Sequence, residues 1–224
     1  MVGRSSDNIG TRPIFCIGID FGTTFSGIGW AWDDCADDIE VVQGWPGAGN
    51  SKSPVNIKNG SSLKTKIETS QKVPTVLSYC GGRLKWGYQV DDMNEEAVKR
   101  VKLLLESQGD PIYGPAAQSK AVIESLNKTP IQVAGEYLKK LVSHARCLLD
   151  RRGFGNALDT MDLQYILTVP AVWSDRAKDA TMQAACLAGI PRSNLTLLSE
   201  PEAAAVYTIR AIQPNSIAVS AQEA

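Results

Sequence analysis

The sequence predicts an α/β fold built on one mixed sheet, and three observations predict it. Residues 13–19 and 25–32 are apolar, β-prone runs flanking a tight Gly22-Thr23-Thr24 turn, which is the pattern of a hairpin, and residues 39–44 supply a third strand. The last third of the chain alternates strand, helix, strand, helix, which favours parallel strands joined by crossover helices. The chain has 224 residues, 43% of them hydrophobic, and so can bury a core without disulfides or metal.

Each element follows from its local sequence. Residues 1–12 are polar and aperiodic and are expected to form a loose, disordered tail. An acidic loop spans 33–38. Residues 45–72 are rich in Gly, Ser, Asn, Lys and Pro and read as a long, partly mobile surface segment. Residues 73–80 and 84–90 are strand-like, split by Gly81-Gly82-Arg83 in a second hairpin. Residues 91–107 are predicted to be helical. Asp91 and Asp92 suit the positive end of a helix dipole, and Val98, Val101, Leu104 and Leu105 keep a helical spacing. Residues 109–128 are turn-rich and ambiguous.

The clearest helix is 130–150. Pro130 suits its first turn, and Ala134, Leu138, Leu141, Val142, Ala145, Leu148 and Leu149 line one face. Residues 163–169 form a strand. Ser174 caps a helix that stops at Gly189, with Pro191 beyond it. A short buried strand at 195–198 leads into an Ala-rich helix at 202–212, and 213–224 is read as a polar tail.

Composition excludes several function classes. The net charge is −1, which gives no electrostatic footprint for nucleic acid or an anionic membrane. The apolar runs are far shorter than the roughly 20 residues that span a bilayer, and no signal-peptide pattern precedes them. Cys16, Cys35, Cys80, Cys147 and Cys186 have no metal-clip or redox spacing and are expected as small buried hydrophobes in a reducing, cytoplasmic compartment. His144 lies mid-helix and reads as a structural, exposed or half-buried residue.

The strongest chemical feature is Ile17-Gly18-Ile19-Asp20-Phe21-Gly22-Thr23-Thr24-Phe25-Ser26. A carboxylate ends a buried strand, and a Gly turn with two hydroxyls follows. Successive turn N–H groups can cradle phosphate, and Asp20 could hold magnesium through water. A plain hairpin turn, with Asp20 satisfying its own backbone, explains the same residues. Gly44 to Ser53 superficially resembles a phosphate loop, but its spacing is wrong and it reads as an ordinary loop. The second feature is Thr168-Val169-Pro170-Ala171 together with Ser199-Glu200-Pro201-Glu202. In each, a strand ends beside proline and a helix follows, the place where open α/β sheets bind ligands. Glu200 could orient a water or act as a base there, or serve only as a helix-start charge.

Taken together, in their order and separation, these segments resemble the DnaK-type heat-shock chaperones, the seventy-kilodalton family among the actin-like ATPases. Val73-Pro74-Thr75-Val76 with Gly87 is similar to the family's early peripheral strands, and the resemblance covers about 14–212. Trp173, Leu103-Leu104-Leu105 and Glu200-Pro201-Glu202 look closer to divergent fungal-type members than to standard chaperones. The resemblance implies a ribonuclease-H-like core from 13–44 and 126–212, with three antiparallel strands extended by two parallel ones, and a smaller peripheral α/β lobe at 45–125. It implies ATP or ADP with magnesium as ligands. Asp20 would lie near the metal, and Gly22, Thr23, Thr24 and Phe25 in the first phosphate loop. Glu200 would be the water-orienting carboxylate, with Pro170 behind it as a switch. Lys102 would face the γ-phosphate, with Lys99 a close second. Partners implied are nucleotide, a second ATPase lobe, a co-chaperone or a client protein. No D-x-G-G-G-T run occurs in the sequence. The expectation is therefore one lobe of an ATPase, cut before its second phosphate loop and inactive alone. A non-catalytic interaction module that kept the fold is the alternative.

Overall fold

The computed structural model describes residues 13–33, 35, 38–48, 70–106, 114–158 and 160–220. Strands β1 (Ile14–Asp20) and β2 (Phe25–Trp32) form the opening hairpin, with Phe15 opposite Trp32 and Asp20 opposite Gly27. β3 (Glu40–Val41) and β4 (Val73–Pro74) both pair antiparallel with β2. A separate three-stranded sheet follows: β5 (Val76–Ser78) lies between β6 (Lys85–Trp86) and β7 (Val98–Lys99). Next come α1 (Leu103–Glu106), α2 (Gly114–Ser125), α3 (Pro130–Leu149) and α4 (Gly155–Leu158). The chain then runs β8 (Asp162–Val169), α5 (Asp175–Leu187), β9 (Leu195–Ser199) and α6 (Glu200–Ser220). β8 inserts parallel to β1 and β9 parallel to β8, giving the order β3-β2-β1-β8-β9.

Period-two alternation decides which side of β1 is buried. Phe15, Ile17 and Ile19 share one core with Tyr137, Leu138 and Leu141 of α3 and with Ala177 and Ala184 of α5. Thr129 starts α3 with a reciprocal cap: its side chain accepts from the Gln132 N–H, and the Gln132 side chain accepts from the Thr129 N–H. α3 and α5 approach closely at Gly135, where an added Cβ would lie 2.9 Å from Leu187 Cβ and 3.0 Å from the Ala184 carbonyl oxygen. α5 begins at the expected cap, with Ser174 Oγ accepting from the Ala177 N–H, and turns out through Gly189 at φ +94°.

Several expectations are corrected. Residues 91–106 do not form the single helix expected over 91–107: they contain turns, strand β7 and the single turn α1. Asp91 and Asn94 bond their own backbone two residues on, and Val98 and Lys99 pair with Leu77 and Val76, so side-chain and sheet bonds outcompete the helix. The apolar residues that suggested it, Val98, Val101, Leu104 and Leu105, are buried all the same. The ambiguous 109–128 segment contains α2. Its buried Ser119 accepts from the Lys99 N–H and donates to the Lys99 carbonyl. Residues 84–90 give only the short β6 and then a 3-10 turn.

The cysteines are free, but they are not buried hydrophobes: Cys16 is partly exposed and the other four are exposed. Trp45, placed in the surface segment, is buried against Trp86 and His144, and its indole N–H donates to the Ser70 carbonyl. The expected loose tail at 1–12 and most of the 45–72 segment lie outside the described residues. The terminal helix starts at Glu200 and continues to Ser220, so most of the expected tail at 213–224 is helical backbone. Along the first turns of this helix Ala204, Val206 and Tyr207 are exposed, while Ala203 is partly covered.

Candidate functional site

The carboxyl ends of the parallel strands β1, β8 and β9 open onto one cavity of about 560 Å³. Asp20 ends β1, Pro170 follows β8, and Glu200 follows β9. All three line it, with Gly22, Thr23, Phe25, Lys72, Lys102, Thr168 and Ala203. Parallel strands that end together bring distant sequence segments to one edge.

The turn after Asp20 is built for close packing. A Cβ on Gly22 would lie 2.0 Å from the Phe25 carbonyl oxygen, so only glycine fits without backbone movement. Thr75 locks the turn from outside. Its hydroxyl donates to the Gly22 carbonyl at 2.9 Å, its N–H donates to the Thr24 carbonyl at 2.8 Å, and Ser26 Oγ lies 2.8 Å from Thr75 Oγ1. Beneath it, the Tyr137 hydroxyl donates to the Pro74 carbonyl, and burial pushes the phenol up to about 12. Thr24 belongs to the turn but is not part of the cavity lining. Neither Thr75 nor Tyr137 carries a sequence signal of its own, beyond Thr75 lying in the Val73–Val76 segment.

Two ion pairs frame the cavity. The Lys102 side chain is 2% exposed, and its ammonium meets Glu200 Oε1 at 2.6 Å. The same ammonium lies 5.3 Å from the Trp173 ring centre and 6.0 Å from that of Phe21, so it sits over two aromatic faces. Lys99, the second candidate, instead donates to the Asp92 carbonyl at 2.8 Å beside a different cleft. Asp20 Oδ2 meets the Lys72 ammonium at 2.5 Å, and the Thr168 hydroxyl lies 3.4 Å from Oδ1. Sequence reasoning missed Lys72, because nothing near it in the chain marks it as a partner of Asp20.

The start of α6 explains how Glu200 is presented. Ser199 Oγ accepts from the Glu202 N–H, and the Glu202 carboxylate accepts from the Ser199 N–H. These bonds from Ser199 hold the Glu202 carboxyl below its usual range. Among the described residues no group of three or more His, Cys, Asp or Glu could hold a metal directly. Asp20 with the Thr168 hydroxyl is an all-oxygen set that suits a magnesium ion keeping most of its water.

No protein-family model matches the chain. Curated relatives do. The chain is 26% identical over 226 residues to human heat shock 70 kDa protein 12A, covering 92% of this chain and 30% of that protein. It is 30% identical over 208 residues to human heat shock 70 kDa protein 12B, covering 85% and 27%. It is 29% identical over 192 residues to the chaperone protein DnaK of Deinococcus radiodurans, again covering 85% and 27%. The chain is a divergent member of the heat shock 70 family. This heat shock 70 chain spans about 30% of the length of the relatives it matches. No helix among its described residues is long and apolar enough to cross a membrane.

Proposed function

We propose that this chain forms the first phosphate-binding half of a nucleotide cleft in a chaperone-like ATPase, on a ribonuclease-H-like core with a peripheral lobe. One observation carries this reading: Asp20, the Gly22-Thr23 turn and the Lys102–Glu200 pair line a single cavity at the ends of three parallel strands. ATP or ADP would lie with its phosphates against the turn. The Thr23 hydroxyl and the turn N–H groups would donate to phosphate oxygens. Lys102, fixed by Glu200, would place a positive charge where charge develops on the transferred phosphoryl group. Glu200 would in turn orient the attacking water. Magnesium, when bound beside Asp20, supplies charge neutralisation on the phosphates.

The partners in this reading are a second ATPase lobe that completes the cleft, and a co-chaperone or client protein, in a cytoplasmic setting. Calorimetric titration of the 224-residue chain with magnesium-ATP is the test. Saturable one-to-one binding that is lost in Gly22→Val supports the reading, and absence of binding refutes it. A second reading, a non-catalytic interaction module, draws on the exposed Val206, Tyr207 and Ile209 of α6. It predicts no nucleotide binding at all.

A further inference from the structure

Lys72 lines the same cavity, yet no motif marks it. Its backbone is pinned: the Ser70 and Tyr88 hydroxyls both donate to its carbonyl, at 2.7 and 3.1 Å, and its N–H donates to Ser70 Oγ at 3.3 Å. Its side chain is 55% exposed, and its ammonium rests on Asp20. Lys102 differs in kind, being buried at 2% exposure, held by Glu200 and flanked by two rings. The cavity therefore has one fixed cation and one whose base is anchored and whose head can move.

We propose that Lys72 is a phosphate-binding residue of this cleft. Its ammonium is stored on Asp20 in the free protein and passes to the phosphates of an incoming nucleotide. The inference rests on the nucleotide reading above and adds a residue and a charge exchange to it.

The energetics favour such an exchange. An ion pair between half-exposed groups contributes little, so leaving Asp20 costs little. Asp20, Glu200, Lys72 and Lys102 together carry no net charge. Removing Lys72 leaves the lining with an excess carboxylate facing a polyanion. Magnesium and the Lys72 ammonium also compete for one carboxylate. Asp20 would serve either a metal or the Lys72 ammonium: with magnesium held there Lys72 would be free to turn toward the phosphates, and without it Lys72 would supply the compensating charge.

The test is calorimetric titration of ATP into the wild-type chain, Lys72→Gln, Lys72→Arg and Asp20→Asn, each with EDTA and with magnesium. In EDTA, Lys72→Gln is expected to weaken ATP binding about ten- to hundredfold, the range of a charge-assisted hydrogen bond. Magnesium recovers part of that loss, Lys72→Arg binds within a few-fold of wild type, and Asp20→Asn binds ATP more tightly in EDTA. Wild-type binding with an unchanged Lys72→Gln affinity in EDTA overturns the role of Lys72 while leaving the nucleotide reading intact. Equal losses in Lys72→Gln and Lys72→Arg would also overturn it. A wild-type chain that binds ATP in neither buffer refutes the nucleotide reading, and this inference with it.

Discussion

A few single residues set the site, and their removal has distinguishable consequences. In Gly22→Ala the new Cβ must displace the Phe25 carbonyl, which lies 2.0 Å away and belongs to the backbone. Urea denaturation should show a loss of about 1–3 kcal/mol, the usual cost of forcing an extra methyl into packed structure. The Lys102–Glu200 pair is asymmetric. Glu200→Gln leaves a buried ammonium without its anion, whereas Lys102→Met leaves a Glu200 side chain that is 45% exposed and can face water. Glu200→Gln should therefore be the more destabilising, by roughly 1–3 kcal/mol. Equal urea midpoints would contradict this account.

His144 packs tilted against Trp45 and edge-on against Trp86, and its Nε2 is buried without a partner. Burial, then the nearby Arg151, lowers its affinity for a proton, while a bond to the Gly44 backbone acts the other way. The unfolded chain thus takes up a proton that the folded chain resists. Stability is full above about pH 6.5 and falls as pH drops below it. His144→Phe should flatten that acid limb in thermal melts from pH 7 to 5.

At the scale of elements, α3 carries the core. Leu138, Leu141 and Leu149 are fully buried along its face, and Gly135 sets its approach to α5. Leu141→Ala should cost about 2–5 kcal/mol in urea denaturation, the usual range for an emptied core position. The helix was legible because its spacing, its Pro130 start and its apolar face agree. The failure at 91–107 is equally physical. Its apolar spacing fits a helix, but Asp91 and Asn94 offer the backbone closer partners and β5 offers a sheet edge, and neither competitor is visible from periodicity. The apolar spacing there encodes burial but not backbone conformation.

For the whole molecule, the described cavity is lined by the carboxyl ends of β1, β8 and β9, the turn after Asp20, and Lys72, Lys102 and Ala203, and in the proposed function a second lobe completes it. Phosphoryl transfer depends on positioning and charge stabilisation around the whole phosphate chain. Steady-state hydrolysis by the 224-residue chain is therefore expected to be negligible. Turnover abolished by Glu200→Gln would contradict this. The exposed Val206, Tyr207, Ile209 and Ile212 on α6 predict concentration-dependent association in sedimentation, reduced in Tyr207→Glu.

The sequence by itself determined the mixed sheet, because hairpin and crossover patterns are local, and it determined the Asp20-Gly22-Thr23 turn and Glu200, because each is bound to a strand end. Only the tertiary structure decided that Lys102 rather than Lys99 reaches the cavity, that Lys72 sits on Asp20, and that Thr75 and Tyr137 brace the turn. These pairings join residues dozens of positions apart. The register of β4 on β2 and the packing of α1 against α5 set their distances, and no spacing along the chain encodes either.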